Sequence, residues 1–289
     1  MLLIKKCFDL YIKSSFHLGI CVIALYLVSI FKQQVSINHL LIIFIFSSTV
    51  VVYNFIKFGY KLSFYFKTND YGFKIIKFLS FLCAFFLIYT SFFLKFETLI
   101  FSCFLFLICV LYVFPIGYLK SNFRNLSKVK VFLVALCWSG STVLLPVFED
   151  GLSNFYFTSI YFLQIFVLVL IYTIPFEIRD LQNDSIELQT IPQIFGIKNS
   201  KKICYLLIII FLFLSIINSG IESGFYSDLI LSFVLVFILY ITKKNQTKYF
   251  SSFWVEAVPL YWFLACYFLI LVYILISFLV FQHCWFQLF

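Results

Sequence analysis

Long apolar runs dominate this chain, and they restrict its fold more than any other feature. A transmembrane α-helix needs about 20 predominantly apolar residues. Runs of that size lie near 14–31, 38–57, 75–94, 98–119, 130–148, 155–176, 203–220, 226–242 and 257–281. The pattern predicts an all-α integral membrane protein, a bundle of nine transmembrane helices that forms one domain over residues 1–289.

The composition excludes an ordinary soluble protein. Hydrophobic residues make up 64% of the 289 residues and charged residues only 11%, and the mean hydropathy is +1.08. Soluble domains are about 25% charged. The bilayer is therefore the first predicted partner.

The basic residues predict how the chain is oriented. If the N-terminus is cytoplasmic, only Lys32 and Lys95 of the 21 basic residues fall outside the cytoplasmic segments, as the positive-inside rule expects. We expect a protein of the cell (inner) membrane with its C-terminus on the outer side. The net charge of +9 is then a signal of topology, and no nucleic-acid partner is expected. The oligomeric state is left open.

An acidic segment follows the sixth apolar run, in a chain with only 12 acidic residues. Glu177, Asp180 and Asp184 share one face of a helix, because they are three and four residues apart. Carboxylates crowded at a membrane edge repel one another unless a cation joins them. The spacing suggests a Mg²⁺ site with all three as ligands. The alternative is a solvated helix end paired with Arg179 and nearby lysines.

The residues around this segment resemble a known family. Residues 174–184, with Thr190, Pro192 and Gly196 after them, are similar to the second aspartate-rich motif of the UbiA superfamily of intramembrane prenyltransferases. The resemblance implies nine transmembrane helices and aspartate motifs after the second and sixth, on the cytoplasmic side. It also implies Mg²⁺-dependent transfer of a prenyl group from a prenyl diphosphate donor to a lipophilic acceptor, aromatic or a quinone precursor. Asp180 and Asp184 would be catalytic and would bind the metal, with Glu177 in support.

The connection between the fourth and fifth runs extends the resemblance. It carries Tyr112, Pro115, Lys120, Arg124 and Lys130. In the family, tyrosine and basic residues there help to hold the diphosphate, so Tyr112, Lys120, Arg124 and Lys130 are candidate donor-binding residues. The basic residues alone are more simply topology signals.

The first aspartate motif departs from the family pattern. The family has NDxxD after the second helix, whereas this chain keeps Asn54 and has Phe55 and Phe58 in place of the aspartates. Asn54 and Lys57 share a helical face, and a lysine can neutralise a phosphate oxygen directly. One hypothesis places Asn54 and Lys57 opposite the acidic segment, with Asn54 as a third catalytic residue beside Asp180 and Asp184 and with Lys57 replacing a metal ion as a diphosphate ligand.

Other functions remain open at this stage. With both aspartates absent, the chain could be a non-catalytic relative that binds isoprenoid diphosphates or related lipids. A transporter is the third alternative, but the acidic residues lie at the ends of the runs and no repeated halves are evident. Glu256, beside Trp254 before the last run, is interpreted as an interfacial residue.

Overall fold

The structure is a computed structural model that describes residues 2–59, 71–113, 129–151, 154–184, 188–221 and 223–286. Its elements are helical. The α-helices are α1 (Leu2–Lys13), α2 (Phe16–Gln33), α3 (His39–Asn54), α4 (Tyr71–Ser91), α5 (Phe96–Val113), α6 (Val129–Ser139), α7 (Leu145–Asp150), α8 (Phe155–Asp180), α9 (Ile191–Ser219), α10 (Ser223–Ile241) and α11 (Val258–Phe286). Three π-helical turns, Phe55–Gly59, Gly140–Leu144 and Phe250–Val255, adjoin α3, link α6 to α7 and precede α11.

Within the described residues, nine helical segments are long and apolar enough to cross a membrane. The described part of the chain is thus the predicted all-α bundle, and the protein is an integral membrane protein. The seventh segment begins at Ile191, well before residue 203, where the sequence places it. The extra residues form a short first section, since Gly196 interrupts α9 with a φ of 74°, which favours glycine.

Polar caps set where several helices begin. The Asn38 carboxamide oxygen accepts bonds from the amides of Leu40 and Leu41 at 2.9 and 3.2 Å, which opens α3. At α9, the Gln193 side chain accepts a bond from the Thr190 amide at 2.8 Å, one half of a capping box. Such bonds satisfy backbone donors that have no partner at a helix start.

The spanning segments pack side by side. α2 packs on α3, α3 on α4, α6 on α8, α8 on α9, α9 on α10, and α10 on α11, and α11 packs in turn on α2. The interior is filled by large side chains, including Trp262, Tyr26, Tyr161 and Phe211. Many phenylalanines point outward, as Phe78 and Phe85 do, because lipid tails solvate apolar side chains. We call the end of the bundle at which α3 and α8 finish the site end.

A buried ion pair ties the opposite end of the bundle together. The Lys32 ammonium, at the end of α2, contacts the carboxylate of Asp228, a fully buried residue of α10. The same carboxylate accepts hydrogen bonds from Gln164 Nε2 at 2.8 Å, from Trp262 Nε1 at 2.9 Å and from Ser215 Oγ. Five helices therefore meet at one charge. Because a buried charge is costly unless it is paired and hydrogen-bonded, this network selects one arrangement of α2, α8, α9, α10 and α11.

Candidate functional site

The end of α3 carries the remnant of the first motif. Asn54 is buried, and its amide nitrogen donates to Ser14 O at 3.0 Å and to Ser80 Oγ at 2.8 Å. Its carboxamide oxygen accepts a bond from Ser15 Oγ at 2.9 Å. These bonds join α3 to α4 and to the turn between α1 and α2. In this structure the Asn54 side chain links these elements, and its hydrogen bonds go to them and not to the acidic segment.

Lys57 follows Asn54 in a π-helical turn. Its ammonium donates to Ser15 Oγ at 2.9 Å, while the residue as a whole is exposed. The wider π-helical turn places the lysine beside the start of α2. Lys57 therefore offers a positive charge at the site end.

The end of α8 carries the acidic segment. Pro175 lies inside this helix and has no amide hydrogen, so the carbonyl of Ile171 lacks its helical donor; Cys204 Sγ approaches that carbonyl at 3.9 Å. Gln246 Nε2 donates to the Pro175 carbonyl at 3.1 Å. Both neighbours come from other segments, so tertiary contacts fix the direction in which the last turn of α8 leaves the bundle.

The three predicted metal ligands lie in different surroundings. Glu177 is buried, and its Oε2 has no hydrogen-bond partner among the described residues. Asp180 is the last residue of α8. Arg179 donates to both of its carboxylate oxygens, from Nε to Oδ1 at 2.7 Å and from Nη2 to Oδ2 at 2.9 Å. Asp184 lies beyond the helix in a turn, where its amide donates to Asp180 O at 2.9 Å.

Lys130 is the predicted diphosphate residue that reaches this segment. Its ammonium, at the start of α6, is 3.9 Å from Asp184 Oδ2. Tyr112 is half-buried in the last turn of α5. Lys120 and Arg124 lie outside the described residues. The structure thus brings Lys130 to the acidic segment, whereas the hydrogen bond of Lys57 goes to Ser15, beside the start of α2.

The fit of this segment to Mg²⁺ can be judged from its oxygens. In the part of the chain that the structure describes, no three His, Cys, Asp or Glu side chains are gathered as they would be around a metal ion. The helix ends at Asp180 and Asp184 lies beyond it, so the three carboxylates do not share one helical face as their spacing predicts, and Asp180 is paired with Arg179. The chemistry nevertheless fits: Mg²⁺ prefers oxygen ligands, and Glu177 Oε2 and Asp184 Oδ2 are buried oxygens without a hydrogen-bond donor among the described residues.

Glu256, which the sequence suggested to be an interfacial residue, lies at the site end. It lies between the last π-helical turn and α11 and is only partly buried. Its carboxylate is within electrostatic range of Lys57 and Arg179, and Arg179 Nη1 also donates to Ser252 Oγ at 3.3 Å, in the same turn. A lone acidic residue at the start of an apolar run was the available signal, but nothing in the sequence related it to Lys57.

An apolar cavity of about 350 Å³ lies deeper in the bundle, between α2, α3, α4, α5 and α6 with the residues that follow it. Tyr53 and Trp138 form part of its wall, and Trp138 Nε1 donates to Tyr53 OH at 2.8 Å. Cys109 and Cys137, with sulfur atoms 3.8 Å apart, also line it. Since Tyr53 is one residue from Asn54, the cavity reaches towards the charged site end.

Comparison with known proteins identifies the fold. No model of a known protein family matches the sequence, and no curated protein matches it significantly. Among solved structures, the chain is similar to a UbiA homolog from Archaeoglobus fulgidus bound to GPP and Mg²⁺, with a TM-score of 0.60 and 13% identity, covering 89% of this chain and 99% of that one.

A second solved structure, that of a digeranylgeranylglyceryl phosphate synthase, has a TM-score of 0.53 and 17% identity and covers 92% of this chain and 98% of its own. Both likenesses extend over nearly the whole bundle, as the resemblance of the acidic segment implies. The chain is therefore an integral membrane protein with the fold of the UbiA-type prenyltransferases.

Proposed function

We propose that this protein transfers a prenyl group from a prenyl diphosphate to a lipophilic acceptor, aromatic or a quinone precursor. The observation that carries the proposal is the presence of a charged mouth and an apolar cavity in one bundle. Lys57, Lys130 and Arg179 form the mouth, since they supply positive charge at the site end, and the cavity, of about 350 Å³, is lined by Tyr53, the residue before Asn54. A prenyl diphosphate has the same division into an anionic head and an apolar chain.

The charged mouth suits the diphosphate. Lysine and arginine are the usual phosphate ligands in proteins, and Lys57 and Lys130 approach from different walls. Asp180 and Asp184 would hold Mg²⁺, with Glu177 in support. When bound, the ion would neutralise charge that develops on the diphosphate as it leaves. The UbiA homolog bound to GPP and Mg²⁺ supports this choice of donor and metal.

The apolar cavity suits the prenyl chain and the cation that forms when diphosphate departs. Aromatic faces attract positive charge without forming a bond to it. Tyr53 and Trp138 provide such faces where the cavity approaches the site end, and Tyr172 packs edge-on against Trp138 with ring centroids 5.7 Å apart. The surrounding apolar wall keeps out the water that would otherwise capture the cation.

The altered first motif gives the second candidate function. With Phe55 and Phe58 in place of the aspartates and Arg179 closing on Asp180, the protein would bind isoprenoid diphosphates without turnover if no metal could enter. We favour catalysis because Lys57, which lies within the altered first motif, supplies a fixed positive charge there.

The test is to follow pyrophosphate release from allylic diphosphates of several chain lengths, with lipophilic acceptors, in nanodiscs with Mg²⁺ or EDTA. We expect release that EDTA abolishes and that Asp180→Asn or Asp184→Asn lowers by about 10²–10³-fold, the usual cost of losing one transition-state electrostatic contact. Asp150→Asn, at an exposed position of the opposite end, should leave the rate unchanged. Mg²⁺-dependent binding of the diphosphates without release from any of them would establish the binding protein instead.

The orientation in the membrane is a further part of this proposal: the site end would face the cytoplasm. Support comes from Lys130, Lys243 and Lys244, which flank the site-end termini of their helices, whereas Lys32 and Lys95 lie at the opposite end. Cys7 is exposed on α1, so a membrane-impermeant thiol reagent should label it in inverted vesicles and spare it in intact cells. Cys7→Ser identifies the labelled site, and labelling in intact cells would reverse the assignment.

A further inference from the structure

An open groove of about 540 Å³ lies where α10 ends, at the site end of the bundle and apart from the apolar cavity. It combines apolar side chains with polar ones that can bind an anion. Its lining includes Tyr240, Ile241, Lys243, Asn245, Thr247 and Phe250, and we call it the α10 groove. Among the described residues that line it, none is acidic. The groove therefore offers positive charge beside an apolar surface.

Lys243 is the cation of the α10 groove. It is exposed and makes no hydrogen bond or ion pair with any residue that the structure describes. Lys248, in contrast, donates to Asp9 Oδ1 at 2.7 Å. The Lys243 ammonium is thus available to a ligand, and the Asn245 amide and the Thr247 hydroxyl can donate further hydrogen bonds.

A second lysine favours an anion at this place. The last carbonyls of a helix carry partial negative charge, which repels an anion. Lys201 Nζ, from α9, donates to Tyr240 O at 3.3 Å and to Thr242 O at 2.7 Å. Two carbonyls at the end of α10 therefore already have a cation, and the positive charge of Lys243 is left for a ligand.

One outward face of α10 leads into the groove. Five large side chains on it are 40–77% exposed, and their spacing of three and four residues puts them on one side of the helix. They are Tyr226, Ile230, Phe233, Phe237 and Tyr240. Lipid tails solvate such a face, and its last member also lines the groove. A lipid whose chains lie along α10 therefore has its headgroup at the groove.

We propose that the α10 groove binds the headgroup of an anionic phospholipid, with its phosphate on Lys243 and its acyl chains along the exposed face of α10. A phosphodiester carries one negative charge, which an ammonium neutralises directly, and its oxygens accept hydrogen bonds from Asn245 and Thr247. A lipid in the same leaflet is also held at a high effective concentration, which a free anion is not. The inference does not depend on the proposed prenyl transfer.

The α10 groove is joined to the acidic segment through Gln246, which also lines it. Gln246 Nε2 donates to the Pro175 carbonyl in α8 at 3.1 Å, and its Oε1 accepts a bond from Ser251 Oγ at 2.6 Å. A bound lipid would restrain the connection that carries Gln246 and would stabilise the folded bundle, because a ligand that binds only the folded state raises Tm.

The experiment titrates the detergent-solubilised protein with phosphatidylglycerol or phosphatidylcholine of the same acyl chains, and native mass spectrometry gives the Kd of the first bound lipid. The variants are Lys243→Gln, Lys243→Arg and Thr247→Trp, the last of which fills the groove without changing its charge. Lys74→Gln is the matched control, since Lys74 is an exposed lysine in the first turn of α4. Glycerophosphoglycerol, the headgroup without its acyl chains, is tested as a competitor.

We expect phosphatidylglycerol to bind more tightly than phosphatidylcholine, and Lys243→Gln to weaken its binding by about 5-fold or more, since one lysine near an anionic lipid contributes about 1 kcal/mol. Thr247→Trp should weaken it at least as much. Lys243→Arg and Lys74→Gln should keep the affinity within about twofold. Added phosphatidylglycerol should raise the Tm of the unchanged protein and raise that of Lys243→Gln less.

Three results would overturn the inference. Equal weakening in Lys243→Gln and Lys74→Gln would show a general attraction to the basic end of the protein. Unchanged affinity in Thr247→Trp would place the lipid outside the groove. Displacement of the lipid by glycerophosphoglycerol at the concentration at which the lipid itself binds would assign the groove to a soluble anion. None of these results involves prenyl transfer, so the proposed function stands or falls separately.

Discussion

Arg179 and Asp180, adjacent residues at the end of α8, form a two-pronged ion pair that occupies both oxygens of the predicted metal ligand. The side chains are half-buried at 31% and 29% exposure, so water screens the pair only in part. A metal ion and Arg179 would compete for the same carboxylate. The arginine thus limits how readily Asp180 can bind a cation.

Removing the arginine should strengthen metal binding. We expect Arg179→Gln to bind Mn²⁺ more tightly than the unchanged protein, by roughly 5-fold, because an ion pair of about 1 kcal/mol no longer has to open. Electron paramagnetic resonance of Mn²⁺ in nanodiscs measures this without a turnover assay. Arg179→Lys, which keeps the charge but loses the planar fork, should lie between the two. Equal Mn²⁺ affinity in all three proteins would show that Asp180 is not a metal ligand.

Lys57 should contribute to donor affinity. If its ammonium replaces a metal ion at the altered motif, Lys57→Met should weaken binding of an allylic diphosphate analogue by about 10- to 100-fold, the loss of about 1.5–3 kcal/mol for a charge-assisted hydrogen bond. Lys198→Met is a suitable control, because Lys198 is an exposed lysine of α9. Equal affinities in the two variants would remove Lys57 from the site.

The ion pair between Lys32 and Asp228, at the end opposite the site end, should contribute to the stability of the protein and not to ligand binding. Replacing Asp228 by Asn leaves the Lys32 ammonium buried without its counter-charge, which costs about 3–5 kcal/mol. Thermal unfolding in detergent should show a large drop in Tm. Adding Lys32→Met to Asp228→Asn should recover much of it, since the uncompensated charge is then gone. A double variant as unstable as the sum of the single variants would mean that the two residues act independently.

A pH-dependent contact holds α1 against the site end. Lys248 Nζ and Tyr249 OH donate to Asp9 Oδ1 at 2.7 and 3.0 Å, and these bonds lower the pKa of Asp9 from its ordinary value of 3.8. A depressed carboxyl pKa contributes stability above the ordinary pKa, and that stability is lost as the pH falls through the folded value.

We therefore expect α1 to stay docked at pH 5 and to loosen only below pH 3.8. Hydrogen exchange of the α1 amides at a series of pH values, corrected for the intrinsic rate, measures this. Asp9→Asn should exchange at pH 5 as the unchanged protein does in acid. Identical protection of Asp9→Asn across the whole range would assign the docking to Phe8, whose ring packs 5.3 Å from that of Tyr249, instead of to the charge.

The class of protein could be predicted from residue order alone. Apolar runs of bilayer length leave few alternatives to spanning helices, because an unsatisfied backbone amide is costly in lipid. The same reasoning explains why the acidic segment was found at the end of a span: charges there are rare enough in this chain to be conspicuous. The start and the bend of α9 also depend on local residues, since Thr190 caps the helix and Gly196 interrupts it.

Tertiary structure decided what each polar residue contacts. Asn54 was predicted to lie opposite the acidic segment, and the folded bundle shows in addition that its amide is hydrogen-bonded to α4 and to the α1–α2 turn. Glu256, interpreted from the sequence as an interfacial residue, is within electrostatic range of Lys57, and Lys32 and Asp228, nearly 200 residues apart, form one buried pair. Sequence spacing determines which residues share a face of one helix, since that follows from 3.6 residues per turn. Which helix meets that face depends on how all the spans pack together, so contacts between distant residues could be known only from the folded bundle.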